Sequence, residues 1–386
     1  MASEPTQPDL AVEAADERTA HQPPKHLGIG VGLALVVAFI VLAFSWPAVT
    51  ADPRDVPVAI TGPEQQVAAV SAALDAKLGD AVSLTTVADR DAAVRAVERR
   101  EVYGAVVLGP TPEVLKATAA SPVVAQMLTE VGNNLQQLLV AMAAAQPDCA
   151  DASAAPGCAD PSALDQTTEP DQAVVQLDPS TGQPLADQGP TVKVTDIVPL
   201  LEDDPRGTGL AAATLPLVLG GLVGGVAIML LVTGVWRRLA ALAVYAVTAG
   251  LVITALLQTW FGVLAGAYLA NAGVFALCLA AIGTTIVGFG SLLGLPGIPV
   301  GPVVFLLFAN PIAGVTMPPE FLPTPWGAVG QWFPPGAGAT LVRNLSYFPD
   351  ASNVAPLLVL TGWTALGLAL AVLAHLRTSR TAPAAS

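Results

Sequence analysis

From Leu27 to Phe44 every position is apolar or Gly, which is 18 residues, or roughly 27 Å of helix at about 1.5 Å per residue. Extended by Ser45 to Val49, the run predicts a transmembrane anchor over residues 27–49. A cleaved leader would carry a basic start and an apolar core of about 7 to 15 residues, whereas the 26 residues here are long and acidic. A second apolar block begins after Gly207. It is uncharged to Trp236, meets Arg237 and Arg238, and then runs 81 residues from Leu239 to Pro319 without Asp, Glu, Lys, Arg or His. The pattern predicts spans near Leu210–Val235, Leu239–Gln258, Ala265–Gly290, Gly297–Val315 and Pro356–Leu376.

Between the two blocks the period changes. Val56 to Ile60 reads as a strand ending at Thr61-Gly62-Pro63, and Val67, Val70, Leu74 and Leu78 recur at helical spacing until Gly79. Val82 to Val87 alternates as a strand, Asp89 is placed to cap a helix carrying Val94 and Val97, and Tyr103 to Leu108 is a buried strand closed by Gly109-Pro110. Strands alternating with helices predict a small α/β module with parallel pairing. One apolar stripe from Pro122 to Ala145 predicts a helix that packs on the module or on a second copy of itself. Residues 147–190 turn polar and read as a mobile loop, and Val192 to Val198 as a strand leading back to the membrane. The fold class that follows is an α-helical polytopic membrane protein of six spans with an inserted extracytoplasmic α/β domain.

Charge sharpens the topology. The net charge of −14 is concentrated in residues 51–207, which hold 23 acidic and 9 basic residues, so nucleic-acid binding is excluded as a main activity. Lys25, the Arg237–Arg238 pair and Arg377 with Arg380 fall on one side only if six spans place both termini in the cytoplasm. Residues 1–26 and 377–386 are then cytoplasmic tails, 50–207 the external domain, 208–376 a five-span domain, and 316–355 its outer cap. Trp46, Trp260, Trp326 and Trp332 fall near the outer boundary and Trp236 near the inner one. Cys149 and Cys158, bracketing eight residues outside the membrane, are expected to close a disulfide or to remain free thiols, and Cys278 to be a packing residue.

The chemistry of catalysis is missing. His21, His26 and His375 all fall at cytoplasmic ends, no Gly precedes a Lys, and the external carboxylates are scattered over helix faces and loops. The reading is no enzyme, no cofactor and no bound metal. The last five spans also lack ionisable residues in their interiors, which disfavours an ion-coupled carrier. Their main polar side chains are Asn271 and Asn310, which either line a path or make interhelical hydrogen bonds.

Three stretches resemble bacterial ABC-2 type permeases, in particular their YhgE/Pip-like branch. They are VYGAVVLGP at 102–110, VTDIVPLLEDDPRGTGLAAATLPLVLGG at 194–221, and NPIAGVTMPPEFLPTPWGAVGQWFPPGAGATLVRNLSYF at 310–348. The resemblance implies a permease subunit of an exporter that moves an amphipathic or lipid-like substrate outward, with a homo- or heterodimeric partner and a separate ATP-binding subunit. It makes Glu320 and Arg343 candidates for closing or lining the exit, against a role in interfacial anchoring alone. Trp236, Arg237 and Arg238, the only compact basic and aromatic feature between spans, are the candidates for touching the ATPase, or else they fix orientation. A non-transporting envelope receptor or scaffold in the bacterial plasma membrane is the alternative.

Overall fold

The computed structural model describes residues 25–144 and 191–381. Cys149, Cys158, the 147–190 loop and most of both tails lie outside the described residues. The chain divides into two units, residues 1–50 and 51–386. The described part of the first is one helix, α1 (Lys25–Val49), which holds Pro47 near its end and is closed by Thr50 Oγ1 donating to Trp46 O at 2.7 Å.

In the second unit the module follows the hydrophobic periods. Its elements are β1 (Val56–Thr61), α2 (Glu64–Leu78), β2 (Val82–Thr86), α3 (Arg90–Glu98), β3 (Gly104–Val107), β4 (Glu113–Lys116), α4 (Pro122–Ala144) and β5 (Lys193–Asp196). Asp89 caps α3 by accepting from the Ala92 N–H at 2.7 Å. The sheet order is β2-β1-β3-β4-β5. β1 pairs in parallel with β2 and β3, as expected, but β3 pairs antiparallel with β4, with Val106 opposite Val114. β4, to which the sequence pattern assigned nothing, then pairs in parallel with β5. At the end of β1, Gly62 adopts φ +146, and a Cβ there would stand 2.7 Å from Leu108 Cβ, so only glycine allows this turn to pass β3. α4 packs on the module itself through Val124, Leu128 and Leu135.

The rest is helical: α5 (Thr208–Leu231), α6 (Val235–Thr254) continuing as a π-helix over Ala255–Trp260, α7 (Tyr268–Leu293), a short mixed helix α8 (Leu295–Ala309), α9 (Trp326–Gly330), α10 (Pro334–Tyr347) and α11 (Val354–Thr381). Among the described residues four stretches are long and apolar enough to cross a membrane: Ala213–Leu231, Val235–Trp260, Tyr268–Leu293 and Val354–Ser379. α7 is the hub, buried along most of its length and packed on α5, α6 and α11. Cys278 is free and buried there, and a Cβ at Gly338 would stand 2.6 Å from its sulfur, the packing role expected of it.

The expected span at Gly297–Val315 is corrected in length. α8 covers 15 residues, roughly 22 Å at α-helical rise against about 30 Å of hydrocarbon. Pro299 and Pro302 supply no N–H to the helical ladder, and the chain passes through 3-10, α and π geometry before it ends at Ala309. The following stretch folds as a cap of α9 and α10. Module and cap share one hydrophobic core, because Phe321, Phe348 and Ala351 pack with Val58, Leu115 and Leu128. Backbone bonds reinforce the join: the N–H groups of Asp52 and Arg54 donate to the carbonyls of Phe321 and Glu320.

Candidate functional site

The join between module and cap carries a polar cleft of about 360 Å³, lined by Arg99, Arg100, Tyr103, Glu320, Gln331 and Asn344 among others. A 3-10 turn (Pro319–Phe321) presents Glu320, and the Tyr103 hydroxyl donates to its Oε2 at 2.8 Å. Arg100 has φ 56, uncommon for a non-glycine residue, and its guanidinium lies over the Phe348 ring 5.4 Å from the centroid. One of its nitrogens donates to Asn344 Oδ1 at 2.5 Å, and Asn344 Nδ2 in turn donates to Asn353 Oδ1 at 3.0 Å. Burial, followed by the Glu320 charge, pushes the Tyr103 phenol well above its ordinary value, so it remains a neutral donor.

Glu320 and Arg343 do not pair with each other. Among the described residues the ion pairs are Arg90–Glu113 and Lys193–Glu113. Arg343 is held behind the cleft, where Nη2 donates to Val315 O at 3.1 Å. Burial first, and the neighbouring Arg100 charge second, bring its pKa down to about 10, which leaves it protonated at neutral pH. Of the two sequence candidates, then, Glu320 lines the cleft and Arg343 braces the loop that leads into the cap.

A second, apolar cavity of about 520 Å³ opens between α5 and α6 at their module end. Pro216 and Leu217 of α5, Ile253 of α6, Leu256 and Leu257 of the π-helical turn, and Phe261 and Val263 wall it, with Asp203 on its rim. The π-helical turn beside it is a rare backbone form that recurs at functional sites.

No family model, curated protein or solved structure matches the chain. The residues themselves therefore carry the functional argument.

Asn271, on α7 near this cavity, is fully buried. Its Nδ2 donates to Gln258 Oε1 at 3.0 Å and to Ala265 O at 2.8 Å, and Gln258 Nε2 donates to Gly266 O at 2.9 Å. These acceptors fix both amide orientations, so Asn271 ties the α6–α7 turn down, and among the described residues its Oδ1 has no partner. Asn310 sits apart, at the end of α8, with backbone bonds to Phe305 and Ala313; the structure does not bring it to Asn271.

At the opposite end of the bundle the three basic and aromatic candidates separate. Arg238 Nε donates to Val232 O at 2.7 Å, satisfying a carbonyl at the C-terminus of α5, and Nη1 reaches Ser291 Oγ at 3.3 Å. Half-buried there, it links the end of α5 to α7. Arg237 is exposed, and Trp236 meets His375 of α11 edge-on at 5.9 Å. Sequence reasoning missed Arg100, Tyr103 and Asp203. Only the Arg99-Arg100 doublet beside a strand gave any signal, and it reads equally well as a solvated helix end.

Proposed function

We propose that the chain is the permease subunit of an ABC-type exporter in a bacterial plasma membrane, powered by a separate ATPase and moving an amphipathic or lipid-like substrate outward. In this reading α1 and the short α8 cross with the four long helices, and six crossings place both termini in the cytoplasm, with the α/β module and the cap outside. The observation that carries the reading is the apolar cavity between α5 and α6, which opens beside the module and bears a carboxylate on its rim. A volume of about 520 Å³ suits one small-molecule ligand, since such sites run from about 300 to 1,000 Å³. The receptor reading draws instead on the junction cleft, whose polar side chains stand on a rigid shared core.

Purification from the native membrane decides between them. An exporter subunit co-purifies with a nucleotide-binding protein, and the pair in proteoliposomes moves an amphipathic fluorophore on addition of ATP. A chain that purifies without any ATPase, and binds an external protein instead, is the receptor. Topology is tested separately in intact cells, where a cysteine at exposed Asp91 should react with an impermeant maleimide and one at Ser379 should not. Equal labelling at both positions would remove the six-span arrangement.

A further inference from the structure

We infer that the α5–α6 cavity selects positively charged amphiphiles, with the Asp203 carboxylate as its charge-recognition group. The inference rests on the cavity being the cargo site proposed above. The sequence Glu202-Asp203-Asp204 enters α5, and its members have separate tasks. Asp204 is buried and spent on capping: Oδ1 accepts from the Thr208 N–H at 3.0 Å and Oδ2 from the Gly209 N–H at 2.8 Å. Asp203 is exposed on the cavity rim, and among the described residues no donor or cation meets its carboxylate.

The carboxylate lies against the α6–α7 turn. Gly262 takes φ +67 in the turn after the π-helix, and a Cβ there would stand 2.5 Å from Asp203 Oδ2. Only a glycine in this turn lets the acid lie against it. Gly209 is equally constrained, since its Cβ would stand 2.7 Å from Val263 Cβ, so the α5 start and the α6–α7 turn close together around one wall of the cavity. A negative charge on the rim of an apolar cavity is complementary to a ligand with a cationic head and a hydrocarbon or aromatic body. Phe261, exposed on the same wall, adds aromatic surface to the cavity. A neutral or anionic body of the same shape gains the apolar contacts and loses the electrostatic one.

The test is equilibrium dialysis of the purified full chain in dodecyl maltoside, with empty micelles subtracted. The probes are tetraphenylphosphonium and tetraphenylborate, which have the same shape and opposite charge. The wild-type chain should hold the phosphonium at least about tenfold more tightly than the borate. Asp203→Asn should weaken the phosphonium about tenfold and leave the borate no weaker, and retained borate binding also shows that the cavity is still folded. Equal wild-type affinity for the two ions would overturn the inference, as would Asp203→Asn that keeps the phosphonium affinity or loses both ions together. Dialysis needs no ATPase. A chain that discriminates as expected but has no ATPase partner keeps this inference and ends the exporter reading, and one that exports without sign preference does the reverse.

Discussion

Tyr103 and Glu320 stand 217 positions apart in the chain, and the Tyr103 hydroxyl donates to Glu320 Oε2 at 2.8 Å. The bond crosses from the strand side of the module to the cap, alongside the packing of Phe321 and Phe348 into the module core. A domain joined by apolar contacts alone can rotate on its seat, whereas a charge-assisted bond at the rim fixes one orientation. Arg100 repeats the device with Asn344 at the other side of the cleft.

Tyr103→Phe removes the donor and leaves a half-buried carboxylate short of a partner, at a cost of about 1 to 2 kcal/mol. Thermal unfolding of the purified chain should shift down by several degrees. Glu320→Gln keeps an acceptor for the hydroxyl and should shift less. Equal stability of Tyr103→Phe and wild type would mean that the bond does not hold the join.

Glu113 gives a pH prediction of definite sign. It is 7% exposed and receives Arg90 Nε at 2.6 Å, Thr195 Oγ1 at 2.5 Å and Lys193 Nζ at 3.8 Å. The Arg90 hydrogen bond, set against the opposing effect of burial, holds its pKa below the ordinary carboxylate value. A depressed folded pKa contributes stability that is present above the unfolded value of about 4.3 and is lost as pH falls through the folded one. The unfolding temperature should therefore drop as pH is lowered from 5 toward 3. Glu113→Gln should start lower at neutral pH and show a shallower drop; an unchanged slope would assign the acid sensitivity to other groups.

The same residue shows why β4 escaped the sequence pattern. Glu113-Val114-Leu115-Lys116 is four residues with a charge at each end, and Glu113 is buried only because Arg90, Lys193 and Thr195 reach it from other elements. β1, β2 and β3 were legible because their apolar runs stop at glycine or proline and need no distant partner to explain them. The four long apolar helices were legible for the same reason. α8 was over-read: hydropathy alone continued the run to Val315, while Pro299 and Pro302 had already altered its backbone geometry. At the sites, the resemblance of the cap stretch made Glu320 a candidate, but its partner Tyr103 read as a strand residue, since nothing local ties position 103 to position 320.

Two glycines four apart on α5 mark one contact between helices. Gly221 and Gly225 do meet α7, at Ile282 and at Ile286 with Gly283. Two of the long helices, α7 and α11, also bring backbone against backbone. A Cβ at Gly367 would stand 2.3 Å from the Thr284 carbonyl carbon, and one at Gly288 would stand 2.5 Å from Gly367 O. Backbone cannot give way as a side chain can, so Gly367→Ala must push the two helices apart, costing about 1 to 3 kcal/mol. Gly273→Ala on the same hub helix meets nothing within 4 Å and should be neutral. Comparable unfolding temperatures for the two variants in detergent would contradict the close crossing.

The last prediction separates Arg237 from Arg238. Arg238 satisfies the Val232 carbonyl at the end of α5 and reaches Ser291 on α7, so its loss removes a charged C-terminal cap and a link between two helices. Arg238→Gln should lower the unfolding temperature by an amount corresponding to about 1 kcal/mol or more, whether or not an ATPase is present. Arg237 is exposed and makes no such bond among the described residues, and Arg237→Gln should leave stability within about 0.5 kcal/mol of wild type. If the proposed ATPase docks at this end, Arg237→Gln is the variant that reports it, through lost stimulation of ATP hydrolysis in a correctly inserted, fully stable chain. Arg238→Gln cannot separate docking from bracing by itself. A stable Arg237→Gln protein with full partner-stimulated hydrolysis would leave Arg237 with the orienting role of a cytoplasmic positive charge.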